Sequence, residues 1–480
     1  MPQILKNYVA GAFREGKSET WAPDINPSDA EDVIALVPQG TVDDVTSAVQ
    51  AAQEALPKWR SLTGPVRADY LYRWAEAVAA RHEYLAQAVA REVGKPITEA
   101  RGEVTRCVTL LRYYAGEAVR EIGEVIPSQL PGALQFTLRE PLGVVALITP
   151  WNFPLAIPLW KVAPALAFGN TVVLKPAETA SHVATLLAET AASAQLPSGV
   201  FNVVLGTGSV IGEPLLRAEE VRAVSFTGSS AVGARVAAIA AERNIRFQTE
   251  MGGKNVAIVA RDADLDLAAS LTSAGAMRYA GQKCTATSRV VVDKTIKEPF
   301  LEKLIRQIEA LPLGPVTDPN AVVGPLISHD ARQSIRQVLD TVTAERVVAG
   351  VLPDDDHFNK GFYFAPTLVA GVDPDSILAQ QELFGPVLAS IVADDFEQAI
   401  ELANRTPYGL SASIFTKDVQ TALRYVNRIE AGLVRVNGDT TGVDPHAPFG
   451  GMKGSSSGSR EQGQAAREFY TEIKTVQISG

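Results

Sequence analysis

Sulfur is scarce in this chain: Cys107 and Cys284 are its only thiols in 480 residues. Two cysteines exclude a disulfide framework and fit a reducing cytosol. Basic blocks are missing as well. Lys and Arg number 44 against 54 Asp and Glu, a net charge of −10, which argues against nucleic acid as a partner. Long hydrophobic runs are also lacking, since the most apolar stretch, 155–174, is broken by Pro158, Lys161, Pro164 and Asn170. It falls short of a membrane span. The opening "MPQILKNYVAGAFREG" has no apolar h-region, so no secretory signal is expected. Repeats and low-complexity tracts do not stand out. These absences leave a soluble, cytoplasmic globular chain, and its length predicts two or three domains.

Residues 42–120 read mainly as helices. "VDDVTSAVQAAQEAL" and "RADYLYRWAEAVAARHEYLAQAVAREVG" place apolar residues at i, i+3, i+4 spacing. From Pro141 the rhythm becomes short β-branched runs, "LGVVALITP", "TVVLKP", "FNVVLG", "AVSFTG" and "NVAIVA". Helical stretches such as "HVATLLAETAASAQL" and "AVGARVAAIAAER" lie between several of them, which predicts a parallel α/β sheet with crossover helices. A second alternating series runs from "SRVVVD" through a helix near Glu298 to "GLVRVNG". The tail "TEIKTVQIS" reads as an exposed edge strand, which points to subunit pairing.

Several fragments offer chemistry, each with a plainer reading beside it. Cys284 in "YAGQKCTATS" sits among small and polar neighbours, whereas a structural thiol usually occupies an apolar run. An ammonium at Lys283 would lower its pKa from about 8.5 and favour the thiolate. Taken alone, a structural thiol is still the simpler reading. "FNVVLGTGSVIG" comes close to the dinucleotide fingerprint without matching it, and a structural turn explains it equally well. In "VSFTGSSAVGARVAA", Ser229 opens a helix after a strand, suited to phosphate or to simple capping. Lys175 and Glu178 in "VLKPAE" end a strand where parallel sheets bind ligands, or form a solvated pair. Asn152, between Pro150 and Pro154, is an amide donor for an oxyanion or a turn residue. Glu250 in "TEMGGKN" follows an arginine-rich helical stretch, and it needs partial burial to activate water. Glu382 and Phe384 lie in "QQELFGPV", and "PFGGMKGSSSGSREQG" leads to Glu461. No metal site is expected.

The order of these fragments decides between the readings. From "PWNFP" through "KPAE", "FTGSSAVG", "EMGGKN", "GQKCTA" and "ELFGPV" to "PFGGMKGSS", the series resembles the NAD(P)-dependent aldehyde dehydrogenase superfamily across essentially the whole chain. The resemblance implies an α/β aldehyde dehydrogenase-like fold. A Rossmann-like cofactor domain would take residues 1–122 and 142–252, and an α/β catalytic domain 253–457. A small β oligomerisation arm would take 123–141 and 458–480. Cys284 is then the nucleophile, Asn152 an oxyanion donor, Glu250 the base for thioester hydrolysis, and Glu461 a second carboxylate for proton transfer. Lys175 and Glu178 would hold the adenosine ribose, Ser229 the pyrophosphate and Glu382 the nicotinamide ribose, with Phe384 near the nicotinamide and Trp151 a further cofactor-binding residue. A carboxylate at Glu178 should repel a 2′-phosphate, so NAD is expected in preference to NADP.

"AIPLWKVAPALAFGN", "GQKCTATSR" and "GVDPHAPFGGMKGSSSGSREQG" look most like the branch that oxidises α-ketoglutarate semialdehyde (2,5-dioxopentanoate). On that likeness the helix before "RYYAG" lines the substrate tunnel and brings Arg106 to a substrate carboxylate; equally, Arg106 could point to solvent. Lys283 is the second candidate for that role, and Phe153 and Trp160 would be aromatic walls. Cys107 is read as an inert structural thiol. A broad aliphatic or aromatic aldehyde dehydrogenase is the rival enzyme, and a non-catalytic scaffold of the same fold the more distant one. Self-association as a dimer or tetramer is expected, without membrane or nucleic-acid partners.

Overall fold

The computed structural model describes residues 2–120, 123–342 and 346–479. The helical region is four helices, Val42–Arg60, Gly64–Ala80, His82–Val93 and Ile97–Glu117. Thr41 caps the first by accepting the Asp44 N–H. Gly94 ends the third at φ 65, where a Cβ would press on Pro325 at 2.6 Å. Trp74 and Trp59 are buried against the next layer, their indole N–H groups donating to Thr190 Oγ1 at 2.8 Å and Leu166 O at 3.1 Å.

The β-branched runs pair as expected. In one eight-stranded sheet, five strands are parallel in the order Arg246–Glu250, Val221–Thr227, Val144–Ile148, Thr171–Lys175, Phe201–Val203. The chain starts this series at Val144–Ile148, winds outward to Phe201–Val203, then returns to the other side at Val221–Thr227. Val144–Ile148 and Val221–Thr227 therefore flank a topological switch point, where such sheets open a crevice at their C-terminal ends. A seven-stranded sheet follows, with Val256–Val259 between Arg289–Asp293 and Ser411–Phe415, all parallel.

Only Met251–Asn255 separate the end of strand Arg246–Glu250 from the start of Val256–Val259. The C-terminal ends of the first sheet are thus tied to the N-terminal ends of the second. The tail strand Thr471–Ile478 pairs antiparallel along the whole of Leu134–Pro141, with Val125–Ile126 beyond, and it leaves Ile473 and Val125 exposed.

Some elements depart from expectation. Residues 246–250 are a strand, not a continuation of helix Ser230–Glu242, because the chain turns at Arg243 and pairs with Val221–Thr227. Strands Asn7–Val9, Ala12–Arg14 and Ser456–Gly458 join the first sheet although each is too short to carry a period in its sequence. The glycines after Phe201–Val203 form a single π-turn, Gly208–Gly212. The expected domain boundary at 122 falls outside the described residues. Among the described residues no helix is long and apolar enough to cross a membrane.

Candidate functional site

Cys284 lies in the loop before strand Arg289–Asp293, and that loop is tightly held. The turn leading into it places Tyr279 (φ 56) and Ala280 (φ 51) in the left-handed region, both buried. Non-glycine residues persist there only when their surroundings over-determine them. The Gln282 side chain accepts the Ile327 N–H at 2.9 Å and donates to Pro325 O at 3.0 Å. Asn255 donates to the carbonyls of Cys284 and Ala286, each at 2.8 Å, and accepts the Ser411 N–H at 3.0 Å. Sequence reading missed Asn255 and Gln282, since neither follows a local pattern.

Two cavities meet at Cys284. One, about 250 Å³, reaches the switch point and is bordered by Trp151, Asn152, Ser229, Glu382 and Phe384. The other, about 300 Å³, is bordered by Arg106, Phe153, Trp160 and Lys283. Its half-buried sulfur faces both. The thiol itself departs from expectation. Burial pushes its pKa up to about 12, and Glu382 and Glu250 push in the same direction. Lys283 does not lower it, because the Lys283 Nζ is held by Glu99 at 2.7 Å. Deprotonating this sulfur needs a base close by.

Three acidic groups stand at different depths. Glu250, 1% exposed, ends its strand with Oε2 accepting from Ser456 Oγ at 2.6 Å and Oε1 without a partner among the described residues. Burial and then Glu461 push its pKa well above the carboxylate range. Glu382 accepts the Gly253 N–H at 3.2 Å, and a Cβ at Gly252 would lie 2.1 Å from its Oε2, so a side chain there would displace this carboxylate. Burial pushes Glu382 up to about 7, opposed by the Gly253 N–H and by Lys254. Glu461 borders neither cavity. It is buried in an ion pair with Lys161, and it also accepts from Ser225 Oγ at 3.0 Å and Gln248 Nε2 at 3.2 Å. Lys161, which in the sequence only interrupts an apolar stretch, is the residue this arrangement adds.

Asn152 is 3% exposed, and one Nδ2 hydrogen goes to Gln282 O at 3.0 Å. The amide has a second N–H to offer. On the switch-point side, Ser229 caps helix Ser230–Glu242 without using its hydroxyl, and the buried Thr227 hydroxyl has no partner among the described residues. Lys175 is 5% exposed, not a solvated strand-end residue, and burial lowers its pKa to about 8 against the pull of Glu178. Glu178 accepts the Gly208 N–H at 3.2 Å. Phe384, at φ 54, meets Trp151 edge-on with ring centres 5.5 Å apart. A free helix N-terminus and an unpartnered hydroxyl border this cavity, and with Lys175 at the C-terminal end of a neighbouring strand they fit a dinucleotide.

On the other side, helix Ile97–Glu117 turns Glu99, Glu103 and Arg106 toward the cavity at i, i+4 and i+7. Glu103 forms a fully buried pair with Lys95, whose Nζ lies 3.7 Å from the Phe153 ring centre. Trp160 packs on Phe449 at 5.5 Å. Arg106 does not point to solvent. It donates to Gln462 Oε1 at 2.8 Å and to Val443 O; among the described residues no carboxylate forms an ion pair with it, and Asp444 and Glu103 act on it only at longer range. Cys107 is fully buried, and burial raises its thiol pKa.

Comparison with known proteins agrees with this arrangement. The family model described as "Aldehyde dehydrogenase family" matches residues 13–476. The chain is 45% identical over 474 residues to an alpha-ketoglutaric semialdehyde dehydrogenase of Bacillus subtilis (strain 168), covering 98% of this chain and 97% of that one. It is 42% identical over 480 residues to an alpha-ketoglutarate semialdehyde dehydrogenase of Haloferax volcanii, covering 99% of each. A crystal structure of an NAD-dependent aldehyde dehydrogenase from Sinorhizobium meliloti superposes with a TM-score of 0.95 at 36% identity, over 100% of this chain and 95% of that one. Matched by the family model and by these relatives along nearly its full length, with a cysteine where two cavities meet, this chain belongs to the aldehyde dehydrogenase family.

Proposed function

We propose that the protein oxidises an acidic semialdehyde, α-ketoglutarate semialdehyde, to the free acid with NAD. One observation carries the substrate class: the Arg106 guanidinium borders the tunnel beside Cys284 with only neutral acceptors, Gln462 and Val443. A half-buried guanidinium with no carboxylate at ion-pair distance, felt by Asp444 and Glu103 only from farther off, favours an anionic ligand, and its planar fork suits a carboxylate. The names of the two relatives point the same way.

In this reading Cys284 sulfur attacks the aldehyde carbon, and its proton passes to a neighbouring carboxylate, Glu250 or Glu382. The free N–H of Asn152 and the Cys284 backbone N–H hold the oxyanion. NAD, when bound, supplies the acceptor for the departing hydride. Cys284 is left carrying the acyl group as a thioester. Glu250, whose raised pKa suits proton abstraction near neutrality, takes a proton from the attacking water and so directs the product to a free acid. Glu461, held by Lys161 and near enough to raise the Glu250 pKa, is the carboxylate that can receive that proton. Lys175 and Glu178 would hold the adenosine ribose, Ser229 the pyrophosphate and Glu382 the nicotinamide ribose, with Phe384 near the nicotinamide and Trp151 a further cofactor contact.

The domain division stated from the sequence accompanies this proposal, as do a cytoplasmic location and assembly through the arm into dimers or tetramers. The edge strand Thr471–Ile478 supplies the unpaired backbone for pairing. A panel of α-ketoglutarate semialdehyde, hexanal and benzaldehyde with both cofactors tests the function. The acidic aldehyde should lead in kcat/KM, and Arg106→Ala should raise its KM. Equal turnover of all three in the wild type sinks the acidic reading in favour of a broad-specificity enzyme.

A further inference from the structure

The tunnel holds a second cation that Arg106 does not need. Lys283 directly precedes Cys284, and both border the same cavity, so its ammonium is a ready partner for a carboxylate on a short aldehyde. That ammonium is occupied. Glu99 grips it with both carboxylate oxygens, at 2.8 and 2.7 Å, and the two side chains are only 11% and 22% exposed. We propose that Glu99 sets the chain length of the acidic aldehydes accepted, by masking Lys283 so that Arg106 is the only cation open to a substrate carboxylate. This rests on the acidic-substrate reading above.

The geometry favours masking over a purely structural brace. Glu99 and Arg106 lie two turns apart on one face of helix Ile97–Glu117, so the helix presents an anion and a cation to the same tunnel. The other lysine of this region, Lys95, is already paired with Glu103. Burial pushes the Glu99 carboxyl up, yet Lys283, helped by Lys95 and Arg278, holds its pKa below the ordinary value. The mask therefore stays charged at neutral pH. α-Ketoglutarate semialdehyde has three carbons between its aldehyde and its carboxylate, succinate semialdehyde two, and glyoxylate none. A carboxylate too near the sulfur to reach Arg106 meets a Lys283 that is already neutralised.

The test compares kcat/KM for these three acids and for hexanal in wild type, Glu99→Gln, Lys283→Met and the double variant. Glu99→Gln should raise kcat/KM for succinate semialdehyde and glyoxylate, relative to α-ketoglutarate semialdehyde, by about tenfold, chiefly through KM. Lys283→Met bares the Glu99 anion, so all three acids should lose against hexanal, the shortest most. In the double variant the gain should vanish, as a direct pair requires. The proposal is overturned if Glu99→Gln changes all four substrates by one factor, or if the gain persists without Lys283. The parent reading is judged separately, by the wild-type preference for the acids over hexanal.

Discussion

The Asn255 amide reaches across from the link between the two sheets and donates one N–H to the carbonyl of Cys284 and the other to that of Ala286, each at 2.8 Å. Its oxygen accepts the Ser411 N–H, so one side chain ties together three strands of backbone that have no sequence proximity. The sulfur is aimed by this anchor. Asn255→Ala leaves buried carbonyls and an N–H unpaired, each costing about 1–3 kcal/mol. It should lower Tm and reduce kcat/KM about 10²-fold, the scale of a displacement near 1 Å. Asn255→Asp keeps the acceptor but loses both donors, and should fail equally; thiol labelling of Cys284 alongside kinetics checks both.

Glu250 connects catalysis and stability through its raised pKa. A carboxyl whose folded-state pKa lies above its unfolded value of about 4.3 favours folding only at low pH, and that contribution is lost as pH rises through the folded value. Glu250→Gln should therefore raise Tm relative to wild type at pH 8 and lose that advantage at pH 4. The same substitution should cut steady-state kcat by about 10²–10⁴. Wild-type kcat should climb with pH as Glu250 ionises, and the variant should show no such rise. Thermal melts and rates at matched pH values read both effects.

The strand–helix alternation was legible because each run carries its own period, and the motif residues because their spacing is local. What escaped depends on distant partners. Lys161 and Glu461 are 300 residues apart, and Lys283 and Glu99 are 184 apart. In sequence Lys161 is a flaw in an apolar run, and Lys283 an activating charge beside a thiol. Folding reverses the second reading, because a carboxylate claims the ammonium and desolvation governs the sulfur. Burial is a property of the assembled tertiary structure, so neither the thiol's shift nor that of Glu250 could be read from neighbours.

Lys161→Met tests the buried pair behind Glu250. The methionine fits the volume but leaves Glu461 without its counter-ion, with Ser225 and Gln248 as its side-chain partners among the described residues. Removing one member of such a pair costs about 3–5 kcal/mol. Denaturant unfolding should show a loss of that size for the single variant, and a smaller loss when Glu461→Leu is added. If the Glu461 carboxylate also receives the proton from Glu250, the stable double variant should still turn over more slowly than wild type.

In the proposed reading cofactor choice rests on Glu178 and Lys175, whose charges act on each other beyond the C-terminal end of strand Thr171–Lys175. Glu178 accepts the Gly208 N–H at 3.2 Å, and in the proposed reading its fixed charge would face a 2′-phosphate. Lys175 is the cation that could offset it, but burial lowers its pKa to about 8. NADP use should therefore be weak in the wild type and should weaken further as pH rises from 7 to 9, while Lys175 loses its proton. NAD has no 2′-phosphate and should show a much shallower dependence at this site. Glu178→Gln removes the repulsion and should narrow the NAD/NADP ratio of kcat/KM by about tenfold at pH 7, an effect the size of one charged hydrogen bond. It also removes the anion that supports the lysine's charge, so NADP activity in the variant should fade at a lower pH than in the wild type. Paired pH profiles for both cofactors measure this, and a wild-type preference for NADP would mean that Glu178 does not face the ribose 2′ position.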